Sequence, residues 1–498
     1  MQRRHFIQST ALAAVAAAMP WRPLGAVELL DSEVSATLGA VRGSGEKFSI
    51  AAGELRDFAK ALRGRLFLPQ SQGYETARRV QNPAISKHPA MVVQATGVVD
   101  IQAAVNFARE HRLLVAVKCG GHSFSGQSTC DGGMMIDLSA MPGVRVDPTA
   151  KRAWATGGTL LGLIDREAMA HNLVTPLGTV SHTGVGGLVT GGGVGRLSRR
   201  FGMSIDNLLS VDVVTADGKY LHASATENPD MYWAVRGGGG NFGIVTNFEF
   251  QLHPMQRQVI GGRIAFGPEH REDALKLFAE YGQTAAAELD LTLSYSPRGA
   301  TFVVMHSGDP KDTDKLLAPI RRIGKATAEQ FTPMDYVDVQ RSGDLKDTSN
   351  DPRMTMGQYM KARFIAGISP DLIKAVSDGT AKRGLSVVFA GGCGAGGKVK
   401  NTDTAFPHRY AAYNMLCGTG WKLSEDSAAP MKNVRDFWTD MEPHLGGGGF
   451  YFNDAREDAI MDNSNYRENY ARLVEVKTKY DPLNLFRLNA NIVPKARA

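Results

Sequence analysis

Apolar and polar positions along the chain change period in blocks. The stretch "AMVVQATGVVDIQAAVNFAREHRLLVAVK" reads as strand, turn, helix and strand, with Ile101, Val105 and Phe107 on the helix's apolar face and Leu113–Val117 as the buried strand. "GGMMIDLSAM" predicts a short strand and "VRVDPTAKRAWATGG" a hairpin. "TLLGLIDREAMAHNL" predicts a helix with Leu160, Leu161, Ile164 and Met169 on one side. Ala216-Asp217-Gly218 marks the turn of a second hairpin, and "IVTNFEFQLHP" alternates Phe248, Phe250 and Leu252 before Pro254 ends the strand. The segment before about Gly53 shows no regular pattern.

The character changes at about Val259. "GGRIAFG", "LTLSYSP", "TFVVMHSG" and "LSVVFAGG" predict strands, interspersed with helices such as "REDALKLFAEYG" and "SPDLIKAVSDGT". That mixture predicts an α+β unit, an antiparallel sheet covered by helices on one face. The chain closes with a helix carrying Tyr470, Leu473, Val474 and Lys477, stopped at Asp481-Pro482.

At 498 residues there is room for two or three domains, and 43% hydrophobic with 21% charged residues is an ordinary globular composition. The net charge of +6 is only a weak pull on anions, and no block interleaves basic and aromatic residues, which argues against a nucleic-acid partner. The opening "MQRRHFIQSTALAAVAAAMP" resembles a twin-arginine export signal, with Arg3 and Arg4 before an Ala-rich run. It predicts dealings with the twin-arginine machinery and a bacterial periplasmic destination. No later stretch reaches the ~18 apolar residues of a membrane span. The four cysteines (Cys119, Cys130, Cys393 and Cys417) allow three pairings, but a chain folded before export is expected to keep them as buried thiols. Cys119 and His122 form half of a metal motif without a second pair at zinc spacing, so no metal site is expected.

The 55 glycines cluster, which suits either backbone wrapped round a ligand or tight turns. In "VAVKCGGHSFSG", Gly120 and Gly121 would let backbone approach a ligand and hold His122 against it. "GVGGLVTGGGVGRLSRRFG" offers successive amides as an anion nest for a pyrophosphate, or packs two strands closely. "GGGGNFG" matches a dinucleotide fingerprint in letters only, since a helix precedes it and a strand follows, the reverse of what that fold needs.

Together these three stretches, with "TAFPHRYAAYNM" and the closing "NYARLVEVKTKYDPLNLFRLNANIVP", resemble the berberine bridge enzyme-like FAD-linked oxidases of the vanillyl-alcohol oxidase superfamily. The resemblance runs from about Leu62 to Pro494. It implies an α+β fold: a leader (1–30), a two-part PCMH-type FAD-binding domain (54–258), a substrate-binding domain (259–455) and a C-terminal segment (456–498) returning to the first. It implies FAD bonded through the 8α-methyl carbon to His122. Lys118, Gly120, Gly121, Ser123, Gly126, Gly184, Gly186, Gly187, Gly191, Gly192, Gly195, Gly243, Ile244, Val245, Asn489 and Asn491 stand at the family's cofactor-contacting positions. A neutral imidazole nitrogen is a competent nucleophile toward that carbon once the methyl group is deprotonated.

Three positions depart from the family pattern. Val180 stands where many relatives carry a second, cysteine anchor, so attachment through His122 alone is implied. Lys118 replaces an arginine and lacks its bidentate fork. In "FYFNDAREDA", Tyr451 and Asn453 match the family's Y-x-N motif, but Asp454 follows where a basic tyrosine is usual. Asp454 is either the catalytic base or a solvated helix cap, and Tyr451 is either a second candidate or a core residue. Tyr359, Lys361 and Arg363 alternate on a predicted strand and face either the active site or solvent, and His408 and Arg409, with Tyr413, form a second such group. The implied activity is oxidation of a C–H bond next to oxygen or nitrogen of a small organic substrate. The electrons go to O2, giving H2O2. Thr183 stands at a position tied to oxygen access, which keeps a quinone- or cytochrome-linked dehydrogenase open. A flavin-carrying binding protein without turnover is the alternative of another class.

Overall fold

The computed structural model describes residues 37–344, 355–446, 449 and 463–496. The leader and Tyr451, Asn453 and Asp454 lie outside these residues.

Three sheets organise the chain, and the architecture is α+β as expected. The first sheet orders its strands Arg65–Phe67, Met91–Gln94, Met134–Asp137 and Val115–Lys118. Its last two pairings are parallel, which needs a crossover, and helix Val98–His111 supplies it. Ile101, Ala104, Val105 and Ala108 of that helix are fully buried against the sheet. The segment before Gly53, without pattern in the sequence, contributes an antiparallel pair, Leu38–Val41 with Lys47–Ile50. The second sheet is antiparallel: Tyr220–Ser224, Leu208–Val214, Ile244–Gln251, Arg152–Thr156 and Val144–Asp147. Phe248 and Phe250 turn into its core, as their alternation predicts. Pro254 does not end all pairing. His253–Pro254 bridges Leu173–Val174 as a two-residue edge, where a missing N–H is tolerated. Helix Leu161–Met169 buries Leu161, Ile164 and Met169, but Leu160 precedes the first turn and is exposed.

The third sheet has seven antiparallel strands in the order Ala328–Asp335, Gln258–Phe266, Gly299–His306, Leu289–Ser296, Val387–Gly391, Tyr413–Lys422 and Met356–Ile365. Helices Arg271–Thr284, Thr313–Arg321, Pro370–Arg383 and Ala428–Met441 contribute their apolar sides to the core on one face. The strand sequence "LDLTLSYS" shows the logic. Leu289, Leu291, Leu293 and Tyr295 pack under the helices, so Asp290 and Thr292 face the other way, toward the first two sheets. Helix Tyr470–Tyr480 then packs on helix Pro229–Val235 and into the second sheet's core through Leu473 and Val476. Lys477, fully buried, donates to Asp481 (2.7 Å), Asn241 O (2.7 Å) and Phe486 O (2.8 Å), tying the last segment to the Gly237–Gly243 turn. Buried charge is stable only when paired and hydrogen-bonded this fully.

All four cysteines are free, and burial pushes Cys119 up to about 11 and Cys130, Cys393 and Cys417 up to about 12. Among the described residues no group of acidic, cysteine and histidine side chains could hold a metal ion, and no helix is long and apolar enough to cross a membrane.

Candidate active site

A cavity of about 480 Å³ runs between the first two sheets and the helix-free face of the third. The turn after strand Val115–Lys118 puts Gly120, Gly121, His122 and Ser123 on its wall. Val180, Gly184, Gly186, Gly187, Gly191, Gly195, Gly243, Ile244, Val245 and Asn489 line it as well.

His122 is half-buried, and its Nε2 lies 2.5 Å from Nδ1 of His182. Its Nδ1 lies 3.4 Å from the Thr183 hydroxyl. Burial, reinforced by His182 and opposed by Asp344, holds the imidazole down at about 4, so it is neutral at neutral pH. Neutral imidazole is the nucleophilic form. The loop bearing His182 is anchored across the cleft, because Ser181 donates from both N (3.1 Å) and Oγ to the Asp344 carboxylate.

The glycine-rich stretch is not one continuous nest. Val185–Thr190 forms a short helix, and a Cβ on Gly184 would sit 2.3 Å from Gly120 N. Gly120 and Gly184 therefore serve close packing of two backbones. A Cβ on Gly187 or Gly240 would meet nothing within 4 Å, so these two open onto the cavity. Close packing thus accounts for Gly120 and Gly184, and open space on the cavity wall for Gly187 and Gly240.

Several expected residues belong elsewhere. Lys118 is buried away from the cavity wall, paired with Asp137 (3.2 Å) and donating to Ala77 O (2.6 Å), so its charge is spent inside the first sheet. Gly126 abuts Ile85 and Gly192 abuts Met203 and Phe406, and neither they nor Asn491 line the cavity. Tyr359, Lys361 and Arg363 do share a side, but it is the helix side. Tyr359 sits in the helix-covered core, Lys361 stands opposite Cys417 of that core, and Arg363 lies over Trp438 and 3.8 Å from Glu442. His408 is enclosed between the Phe364 and Phe406 rings (5.6 Å to each), and burial drives it down to about 3. Arg409 is buried in an ion pair with Asp206 (2.7 Å). Tyr413 donates to Phe278 O (2.9 Å) under the helices.

Residues not anticipated take their place. His182, Arg196, Asp290, Thr292, Asn414 and Ser128 all line the cavity. His182 sits two residues beyond Val180 and two before the glycine-rich stretch that opens at Gly184. Asp290 and Thr292 were hidden because polar positions in an alternating strand look like an ordinary solvent face.

Comparison with known proteins shows what this chain is similar to. A family described as "FAD binding domain" matches residues 89–224, and one described as "Berberine and berberine like" matches residues 451–493. The (R)-6-hydroxynicotine oxidase of Paenarthrobacter nicotinovorans is 28% identical over 87% of this chain and 98% of its own length. Among solved structures, a chitooligosaccharide oxidase superposes with a TM-score of 0.81 at 25% identity, covering 88% of this chain and 99% of its own. Physcomitrella patens BBE-like 1 gives the same TM-score and identity over 89% and 99%. The chain carries the FAD-binding and berberine-like domains of the berberine bridge enzyme-like FAD-linked oxidoreductases. The cavity of this berberine bridge enzyme-like protein fits such a cofactor on its own evidence. Ser128 Oγ and Asn489 Oδ1 are buried on its wall with no protein partner among the described residues, and Gly187 and Gly240 leave the space that side chains would fill.

Proposed function

We propose that this FAD-linked oxidoreductase carries its cofactor on a single covalent bond to His122 and oxidises a C–H bond next to oxygen or nitrogen of a small polar molecule. The observation that carries the reading is the neutral, half-buried His122 on the wall of the same cavity as Val180, which offers no thiol. The open glycines Gly187 and Gly240 would admit the cofactor against backbone, with Ser128 and Asn489 supplying polar partners. Bound FAD supplies a two-electron acceptor. His182 orients the His122 ring, and the seven-stranded sheet closes the substrate side of the cleft against water. Sugars and hydroxylated N-heterocycles are the proposed substrate classes, in keeping with the chitooligosaccharide, glucooligosaccharide and 6-hydroxynicotine oxidases among its relatives. O2 is the proposed final acceptor, giving H2O2, and the proposed site of action is the periplasm after twin-arginine export.

Fluorescence of the denatured band on a gel tests the attachment. The band glows in the wild type and is dark in His122→Ala, and flavin released from denatured wild type refutes the bond. Anaerobic bleaching by a panel of sugars and amines tests the activity, and turnover with O2 against an artificial acceptor tests the oxidant.

A further inference from the structure

Oxidation of an alcohol or amine removes a hydride from carbon and a proton from oxygen or nitrogen, so the cleft needs a proton acceptor on its substrate side. Asp290 is the one carboxylate lining the cavity among the described residues. It is the second residue of strand Leu289–Ser296, and the leucines flanking it lock the strand's other face under the helices. The carboxylate therefore points at the same space as His122. The residue is 8% exposed, and beyond burial its carboxylate feels only the charges of Arg196 and Arg199. Its nearest cation is Arg196, at 3.9 Å, which also lines the cavity and whose Nε is buried without a partner. Arg199 is close in charge terms only, since its guanidinium donates to the carbonyls of Ala285 (3.2 Å), Ala286 (3.0 Å) and Gln283 (2.9 Å). A purely structural Asp290 would be expected to close a tight ion pair with Arg196, because a buried carboxylate left short of donors is costly. Instead both groups keep hydrogen-bonding capacity facing the cleft.

We infer that Asp290 is the proton acceptor of the oxidation, with Arg196 beside it on the cleft wall. In the step, the O–H or N–H bond of the substrate breaks with its proton going to a carboxylate oxygen. The adjacent C–H bond breaks with its hydrogen and both bonding electrons leaving as hydride to the FAD that the cleft would hold, and the product carries C=O or C=N. The proton then leaves to solvent. The inference rests on the cleft being the place of oxidation, as proposed above. The charged groups that act on Asp290 are Arg196 and Arg199, while the Tyr336 hydroxyl, within reach of its charge, donates to Asp165 instead. Burial raises its carboxyl to about 6 against the pull of the two arginines, so the base is ionised at neutral pH yet able to take a proton.

The test uses flavin-loaded wild type, Asp290→Asn, Asp290→Glu and, as rival, Asp454→Asn, reduced anaerobically by chitooligosaccharide, cellobiose or (R)-6-hydroxynicotine between pH 5 and 8. The wild-type reduction rate should rise through about pH 6 and level off. Asp290→Asn should lose about 10²–10⁴-fold in rate, and lose that acid limb. It should keep full flavin attachment and a dissociation constant within a few-fold, and Asp290→Glu should recover part of the rate. A rate within three-fold of wild type, an unchanged limb, or loss of the limb in Asp454→Asn instead overturns the inference. If no compound reduces the wild type, it is the proposed activity that fails. The visible spectrum then judges Asp290: a flavin transition near pH 6 missing from Asp290→Asn supports it, and identical titrations sink it.

Discussion

His182→Ala should slow the joining of flavin to His122 at every pH and move the pH at which joining begins to fail only a little upward, still below 7. The two rings meet through His122 Nε2 and His182 Nδ1 at 2.5 Å, their centroids 4.5 Å apart. Deleting one partner of a part-buried hydrogen bond costs about 1–3 kcal/mol. If that energy serves to hold the attacking ring, attachment slows by ~5–150-fold. Protonation gives a different signature. Burial is the largest cause of the depressed His122 value and His182 only the second, so the ring stays neutral at pH 7 without its neighbour. At a value of about 4, ~90% of the imidazole is neutral at pH 5, against ~3% for an unperturbed histidine. The wild-type rate should therefore be flat from pH 8 down to about 5 and fall only below that. The variant should be lower throughout, with its acid fall beginning at slightly higher pH. The assay is a time course of apoprotein with FAD, quenched in acid and read by gel fluorescence. Identical time courses would remove His182 from the account. A deficit that grows steeply between pH 7 and 5 would mean that His182 acts on the proton rather than on orientation.

Gly187→Ala and Gly120→Ala should part company. The first has room for its methyl group and gains helix propensity, so it should melt like wild type yet bind FAD more weakly, whereas the second drives a Cβ to 2.4 Å from Gly184 N and should lower the melting temperature itself. Asp481→Asn should cost about 3–5 kcal/mol in urea unfolding, because it strands the fully buried Lys477 ammonium and weakens the amide bonds of Leu485 and Phe486. Asp165 is buried where helix Leu161–Met169 meets Tyr336 and Gln340, and burial raises its carboxyl from 3.8 to about 7. Between those values the folded chain holds a proton that the unfolded chain has released, so stability should fall as pH rises from about 4 through 7. Asp165→Asn, which mimics the protonated form, should remove that fall, on the order of 2–4 kcal/mol, in melts across the range.

What the sequence disclosed and what it concealed divide along a physical line. Period and punctuation are local, so the strand alternation at Phe248 and Phe250, the hairpin turn at Ala216-Asp217-Gly218 and the helix face of Ile164 and Met169 all appear where the residues predict them. The wall around His122 was legible for the same reason, since glycines report on close approach by their own backbone. Which side of a strand faces a ligand is not local. Tyr359, Lys361 and Arg363 alternate as correctly as Asp290 and Thr292 do, and nothing in either strand says which side the four helices will cover. That choice is made by Leu289, Leu291 and Leu293 on one strand and by Phe437 and Trp438 arriving from a helix well beyond the other. Burial then inverts the meaning of charge. Lys118 and Arg409, the cations most readily offered to an anionic ligand, are consumed by Asp137 and Asp206, whereas an aspartate that looked like a solvent-facing filler reaches the cleft. A cation in a glycine-rich motif is thus weaker evidence for ligand contact than an acid left short of partners, because only the latter has hydrogen-bonding capacity still to spend.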